Sequence, residues 1–167
     1  PNPRGFCAGV FMAVDVVDQL LDVCEPGEAI YVYHEIVHNQ HVVGRFREQG
    51  VVFVEDVADI PANSIAVFSA HGVSPQVREQ AKERNLAVID ATCPLVTKVH
   101  AEAIRYARKG FQILLIGHRG HQEVIGTAGE APDAIQVVES PADIPSLDIR
   151  DESKLIYLMQ TTLSLDD

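Results

Sequence analysis

Short aliphatic runs alternate with helical patterns along this chain, and that alternation restricts the fold more than any other property of the sequence. Seven runs of β-branched and aliphatic residues bounded by turn residues read as strands: 29–33, 51–54, 65–70, 86–91, 111–117, 135–138 and 155–159. The clearest helical pattern, residues 94–109, begins with proline and stops at Gly110. Strands separated by helices form βαβ units. The sequence therefore predicts an α/β fold of repeated βαβ units with mostly parallel sheets.

Two of the three cysteines lie where a helix is expected to begin. Cys7 precedes Ala8 and Gly9, and Cys93 stands directly before Pro94. The positive end of a helix dipole favours the thiolate, which is the form that binds metals or attacks electrophiles. Cys24 differs, because it falls on a helical apolar stripe with other aliphatic residues: Val10, Val14, Val17 and Leu21. We expect Cys24 to be a small buried hydrophobe and not a ligand.

Polar motifs follow five of the predicted strands. They occupy residues 34–39 (HEIVHN), 70–74 (AHGVS), 92–94 (TCP), 117–123 (GHRGHQE) and 160–164 (QTTLS). In a parallel α/β sheet, ligands bind beyond the carboxyl ends of the strands, where helix N-termini also point. We therefore expect these five motifs to contribute to one site.

Three of the seven histidines are candidates for ligand binding. His38, His71 and His121 have glycine or small polar neighbours that let backbone and ligand approach closely. Imidazolium groups and helix N-terminal amides together would bind a phosphate or diphosphate, even in an acidic protein. The other four are expected to be surface or hydrogen-bonded structural residues: His34, His41, His100 and His118.

Glu123 follows His121 by two residues in what reads as a glycine-flanked loop, where a carboxylate is ordinarily a surface group. Beside an anion site, a carboxylate repels the ligand unless it works as a proton carrier. Thr161 and Thr162 have two explanations, either as helix N-cap residues or as hydroxyls that both donate and accept in a proton relay. These residues thus indicate acid–base chemistry next to the anion pocket.

Charge and hydropathy exclude several classes of function. The formal net charge is −11, from 13 Lys and Arg against 24 Asp and Glu, and no basic cluster could follow a phosphate backbone, so nucleic acid is not an expected partner. No apolar run is long enough to cross a bilayer and no signal-peptide pattern is present, so we expect no membrane association and a cytoplasmic location. Three cysteines, an odd number, argue against a disulfide framework and for a reducing compartment.

The residues leave two other functions open. His118, His121 and Glu123 could supply two imidazoles and a carboxylate to the zinc of a metal-dependent hydrolase. Alternatively, the chain could be a non-catalytic phosphate-binding α/β fragment.

Several long motifs, in order along the chain, closely resemble the 4-hydroxy-3-methylbut-2-enyl diphosphate reductase family of non-mevalonate isoprenoid biosynthesis: residues 2–10 (NPRGFCAGV), 34–39, 68–74 (FSAHGVS), 90–100 (DATCPLVTKVH) and 160–164. The resemblance implies three similar α/β domains around a 4Fe-4S iron-sulfur cluster held by three cysteines. It also implies removal of the substrate's allylic hydroxyl as water, giving isopentenyl and dimethylallyl diphosphate, with electrons from a ferredoxin or flavodoxin-type donor.

The same resemblance implies roles for seven residues. They are cluster binding by Cys7 and Cys93, diphosphate binding by His38, His71 and His121, proton delivery by Glu123, and a contact near the substrate hydroxyl by Thr161. Three thiolates leave one iron of such a cluster without a protein ligand, and an open metal position can bind a substrate oxygen.

In the resembling family, the third cluster cysteine and a Ser-x-Asn segment lie downstream of the 160–164 motif. We therefore expect this chain to be an N-terminal portion of the enzyme, inactive alone because two thiolates bind a cluster weakly. The expected parts are an N-terminal segment belonging to the central or third domain (1–8), a first α/β domain (9–93), a second α/β domain (94–160) and the start of the helix leading to the third domain (161–167).

Overall fold

The computed structural model describes residues 5–25 and 27–164, in which helices and strands alternate. The helices are α1 (Ala8–Val23), α2 (Gln40–Glu48), α3 (Pro75–Glu83), α4 (Pro94–Arg108) and α5 (Gln122–Glu130). The strands are β1 (Ile30–Tyr33), β2 (Val52–Val54), β3 (Ile65–Phe68), β4 (Ala87–Asp90), β5 (Gln112–Ile116), β6 (Ile135–Val138) and β7 (Leu155–Met159). Short 3-10 turns cover Val57–Asp59, Pro141–Ser146 and Glu152–Lys154.

The contacts divide the chain into two compact units. Unit 1 comprises Pro1–Gly72 and Gln76–Pro94, and unit 2 comprises Val73–Pro75 and Leu95–Asp167. Unit 1 carries a four-stranded sheet in the order β2-β1-β3-β4, and unit 2 a three-stranded sheet in the order β6-β5-β7. Every strand pair in both sheets is parallel. The predicted α/β class with parallel sheets is therefore confirmed.

The core of unit 1 lies between its sheet and its helices. Val32 and Val67 in the central strands, Val17 in α1 and Phe46 in α2 are buried at 2% exposure or less. Burial of each such aliphatic or aromatic side chain contributes roughly 1.5–3 kcal/mol. The covered inner strands β1 and β3 read as continuous apolar runs, as is typical of parallel sheets, whereas the edge strand β4 is mostly exposed.

Unit 2 repeats this arrangement around β5. Ile113 and Leu115 of β5 are buried, as are Val124 of α5 and Ala103 of α4. The middle strand β5 is the first strand of unit 2 in sequence, just as the inner strand β1 is the first strand of unit 1. Within the described residues, no helix is long and apolar enough to cross a bilayer.

All seven predicted strands are present, with ends that differ by up to two residues. The predicted strand 65–70 ends at Phe68, because Ala70 leaves the ladder and donates its N–H to the Ile36 carbonyl. Residues 161 and 162 form a turn and residues 163 and 164 have no regular secondary structure, so 161–164 is not helical. Residues 1–4 and 165–167 of the expected terminal parts lie outside the described residues. The expected domain limits stay predictions.

Candidate functional site

The loops that leave the unit 1 sheet at the carboxyl ends of β1, β3 and β4 are joined by main-chain hydrogen bonds. The Ala70 N–H donates to the Ile36 carbonyl at 3.1 Å, and the Cys93 N–H donates to the Ala70 carbonyl at 3.0 Å. These bonds extend the order of the sheet beyond its strands. Backbone atoms therefore link the loops that carry the candidate residues of this unit.

His38 and His71 lie side by side at this edge. Their rings stack with centroids 4.1 Å apart and an interplanar angle of 27°. His71 is 6% exposed, whereas the His38 side chain is half exposed, with Nδ1 3.7 Å from a Glu35 carboxylate oxygen. Gly72 has φ +74°, a conformation that glycine adopts without strain and that turns the chain directly after His71. Two imidazoles so arranged can offer N–H donors to one anion.

Cys7 and Cys93 both meet the first turn of α1. Cys7 is the N-cap of α1, and its carbonyl accepts the Phe11 N–H at 2.9 Å. A Cβ built on Gly9 would overlap Cys93 Sγ, so the Cys93 sulfur lies against the helix two residues after Cys7. Unit 1 thus brings both predicted thiols to one helix end, and thiols are the donors that hold iron-sulfur clusters.

Cys24 lies at the opposite end of the same helix. It is the C-cap of α1, whose 16 residues make it about 24 Å long at 1.5 Å per residue. Cys24 packs against the core but is only partly buried, so the expectation of a buried hydrophobe holds in part. Burial, with a smaller effect from the Glu28 carboxylate, raises the pKa of the Cys24 thiol. Position and environment both separate Cys24 from the other two thiols.

In unit 2, His121 and Glu123 belong to the start of α5 and not to a loop. His121 is the N-cap, and its Nδ1 accepts the Glu123 N–H at 3.1 Å. In this arrangement Nδ1 is an acceptor, which leaves Nε2 as the donor position of the ring. Glu123 is 1% exposed, so it is not the surface carboxylate that such a sequence position would ordinarily give. The glycine-flanked sequence suggested a loop, whereas α5 begins here and directs the Glu123 side chain inwards.

The Glu123 carboxylate is held by Thr161, which follows β7. One oxygen accepts the Thr161 N–H at 2.5 Å, and the other accepts the Thr161 hydroxyl at 3.0 Å. Thr161 itself is exposed and lies in a turn, so the N-cap explanation does not apply within residues 161–164. A buried carboxylate thus meets solvent through a hydroxyl that both donates and accepts. This is an arrangement suited to proton transfer.

Gln160 is a site-supporting residue that the sequence did not single out. Its side chain is buried, Oε1 accepts the His118 N–H at 3.0 Å, and Nε2 donates to Thr162 Oγ1 at 2.7 Å. It therefore joins the loop after β5 to the turn after β7. The sequence feature that could have indicated Gln160 is a glutamine directly after an aliphatic strand and directly before the two threonines of the 160–164 motif.

Three of the four remaining histidines lie beside carboxylates. His34 Nδ1 lies 2.6 Å from a Glu55 oxygen, and His118 Nδ1 lies 3.6 Å from a Glu139 oxygen. His100 is buried on α4, with Nδ1 2.8 Å from the equally buried Glu130 carboxylate.

The geometry of unit 2 does not favour the hydrolase alternative. Both carboxylate oxygens of Glu123 accept hydrogen bonds from Thr161, and His118 turns towards Glu139. Among the described residues, His118, His121 and Glu123 do not form a group close enough to hold a metal ion.

Comparisons with known proteins agree on one relationship. A family model described as LytB protein matches residues 1–167. The chain is 58% identical over 165 residues to 4-hydroxy-3-methylbut-2-enyl diphosphate reductase of Rhodopirellula baltica and 59% identical over 166 residues to the enzyme of that name from Rhodococcus jostii, covering 99% of this chain in each case. It covers 51% and 49% of those two proteins, so it spans about half the length of the curated relatives it matches.

Solved structures show the same likeness. The E-1-hydroxy-2-methyl-but-2-enyl-4-diphosphate reductase of Plasmodium falciparum is 48% identical with a TM-score of 0.93, over 99% of this chain and 52% of that one. A structure described as (E)-4-hydroxy-3-methyl-but-2-enyl diphosphate reductase, the terminal enzyme of the non-mevalonate pathway, is 30% identical with a TM-score of 0.78, over 97% of this chain and 57% of that one.

Proposed function

Because this chain belongs to the LytB protein family, we propose that the protein is a 4-hydroxy-3-methylbut-2-enyl diphosphate reductase. The reaction breaks the allylic C–O bond, and two electrons and two protons convert the alcohol into a C–H bond and one water. The products are isopentenyl and dimethylallyl diphosphate. The observation that carries the proposal beyond family membership is the buried Glu123 carboxylate, bonded twice by the exposed Thr161.

Cys7 and Cys93 are the proposed ligands of a 4Fe-4S cluster. Their shared position at the first turn of α1 and the affinity of iron-sulfur clusters for thiolates support this assignment. Such a group, when bound, supplies electrons and a Lewis-acidic iron. Cys24 cannot serve as a third ligand beside them, since α1 separates it by about 24 Å. A third thiolate would come from sequence beyond the span of this chain.

His38, His71 and His121 are the proposed diphosphate-binding residues. The stacked pair in unit 1 offers neighbouring ring donors, and His71 is buried, which strengthens its interaction with an anion. In unit 2, the acceptor role of His121 Nδ1 directs the ring's other nitrogen to act as donor. Binding of the charged end of the substrate by such rings would orient its hydroxyl.

Glu123 is the proposed source of the proton that lets the hydroxyl leave as water. Its protonated carboxyl would donate either directly or through the Thr161 hydroxyl, which then regains a proton from Glu123. Burial of the carboxylate keeps water from competing for the same proton. Thr161 holds the carboxylate through its backbone N–H, so its hydroxyl can turn towards the substrate without releasing Glu123.

Electrons would come from a one-electron carrier of the ferredoxin or flavodoxin type. We retain the cytoplasmic location as a prediction from the sequence.

The proposal is tested on the protein expressed from its complete reading frame under anaerobic conditions. The assay follows consumption of 4-hydroxy-3-methylbut-2-enyl diphosphate with a chemically reduced viologen dye as electron donor. We expect conversion to both products, loss of activity and cluster in Cys93→Ser, and retention of both in the matched Cys24→Ser. Tight diphosphate binding without turnover in a cluster-loaded protein would instead support the non-catalytic phosphate-binding alternative.

A further inference from the structure

Gly9 lies in the first turn of α1, where Cys93 fills the space next to its Cα. A Cβ on Gly9 would overlap Cys93 Sγ and lie 3.1 Å from Cys93 Cβ, closer than a methyl group fits without a shift. The backbone does not require glycine here, because Gly9 is helical and is not among the glycines with positive φ. Glycine is therefore needed at this position because it has no side chain, and not because of its backbone conformation.

Cys93 has little freedom to move its backbone away from α1. Its N–H donates to the Ala70 carbonyl at 3.0 Å, and Pro94 starts α4 immediately after it. A residue before proline is held in the extended region by the proline ring. A methyl group added at Gly9 would therefore turn the Cys93 side chain and displace its sulfur.

We propose that Gly9 is a positioning residue, whose missing side chain fixes the direction of the Cys93 sulfur beside Cys7. The inference rests on the proposed role of Cys93 as a cluster ligand. Cys7 belongs to α1 as its N-cap, and Cys93 packs on the same turn, so the geometry of one helix end sets the spacing of both sulfurs. Residues that orient metal ligands in this way commonly change metal affinity by about 10–100-fold when mutated.

The test compares Gly9→Ala with Gly44→Ala in the protein from its complete reading frame. Gly44 is the matched control, because it lies in helix α2 and a Cβ there meets nothing within 4 Å. After anaerobic reconstitution with iron and sulfide, each protein is challenged with an iron chelator. We expect Gly9→Ala to lose iron and sulfide roughly tenfold faster than the wild type. Its reduced cluster should also give an altered electron paramagnetic resonance spectrum, whereas Gly44→Ala should match the wild type in both measurements.

A second measurement uses the cluster-free protein. Gly9→Ala should lower the melting temperature, and combining it with Cys93→Ala should recover most of that loss, because the overlapping sulfur is gone. Unchanged cluster retention and spectrum in Gly9→Ala, or a melting loss that Cys93→Ala does not relieve, would overturn the inference. If instead the wild type and Gly44→Ala also fail to hold a cluster, the proposed function fails, and the melting comparison still reports whether Gly9 makes room for Cys93.

Discussion

The two units differ in how far the side chains of the site take part in joining their strand-end loops. In unit 1 the links are main-chain hydrogen bonds, from Ala70 to Ile36 and from Cys93 to Ala70. In unit 2 main-chain bonds, from Gly117 to Val138 and from Gln160 to Ile116, are supplemented by links that use side chains, namely Gln160 to the His118 amide and Glu123 to Thr161. These main-chain links of unit 1 would remain if the side chain of His38 or His71 were replaced. In unit 2 the same side chains serve both the local fold and the proposed chemistry.

This contrast has a chemical consequence. A group that transfers a proton must keep its distance to the reacting atom, and the buried bonds around Glu123 provide that constraint. Imidazoles that bind a diphosphate can tolerate more movement, since the anion presents several oxygens. Half-exposed His38, stacked on buried His71, fits that looser demand.

The largest effect is expected from Glu123→Gln in unit 2. Glutamine keeps the size and one acceptor oxygen for the Thr161 N–H, but it cannot donate an acidic proton. Reductase activity of the complete protein should fall by about 10²–10⁴, the usual value of general acid catalysis. Steady-state assays should show the loss mainly in kcat, with iron content unchanged. Glu102→Gln, a partly buried carboxylate of α4 paired with Arg105, is the control and should keep full activity.

Full activity in Glu123→Gln would show that the proton comes from elsewhere. The two hydrogen bonds from Thr161 to the Glu123 carboxylate would then serve only the fold.

His71→Asn in unit 1 should affect binding and leave the loops in place. Loss of a hydrogen bond to a charged group costs about 1.5–3 kcal/mol, so KM should rise roughly 10–100-fold. Because Ala70 and Cys93 keep their main-chain bonds, the melting temperature of the cluster-free protein should change little. His41→Asn, at an exposed position of α2, should change neither quantity. A large melting loss in His71→Asn would show that the His71 side chain itself helps to hold the loops of unit 1.

Gln160→Leu tests the side-chain links of unit 2 directly. The His118 N–H loses its acceptor, and such a hydrogen bond contributes about 0.5–1.5 kcal/mol. Hydrogen exchange over residues 117–122 should accelerate, and kcat should fall because Thr161 is next in sequence.

Gln112→Leu is the matched control for this variant. Gln112 is also buried in unit 2 and bridges the backbone of Asp148 and Arg150, but it lies at the start of β5, away from the strand ends that carry Glu123 and Thr161. It should cost similar stability and leave kcat unchanged. Equal loss of kcat in both variants would mean that Gln160 supports only the fold.

The sequence predicted the strands because they depend on local patterns, and it predicted their parallel direction because helices connect successive strands. Continuous aliphatic runs such as β5 and the proline at the start of α4 determine their own secondary structure. The burial of Glu123 could not be predicted, because it depends on Thr161, which is 38 residues later in the chain. The sequence shows a glycine at position 9 but not why it is there, because the reason is a contact with the sulfur of Cys93, which is far away in sequence.

The smallest expected effect concerns acid sensitivity in unit 2, away from the proposed site. Bonds from the N–H groups of Glu139 and Ser140, followed by Arg119, hold the pKa of the Asp143 carboxyl below its usual 3.8. A lowered folded-state pKa means that this carboxylate stabilises the protein above its unfolded-state pKa. That contribution is lost as pH falls below about 3.8 through the folded-state value.

Asp143→Asn should therefore flatten the acid limb of a melting-temperature profile and lower the plateau at neutral pH slightly, because the carboxyl is exposed to solvent and screened. Asp59→Asn, an exposed aspartate of unit 1, is the control and should leave the shape of the profile unchanged. If Asp143→Asn had the same acid limb as the wild type, capping by side chains would matter in unit 2 only where the side chains are buried. The difference between the units would then be limited to the side-chain hydrogen bonds of Glu123 and Gln160.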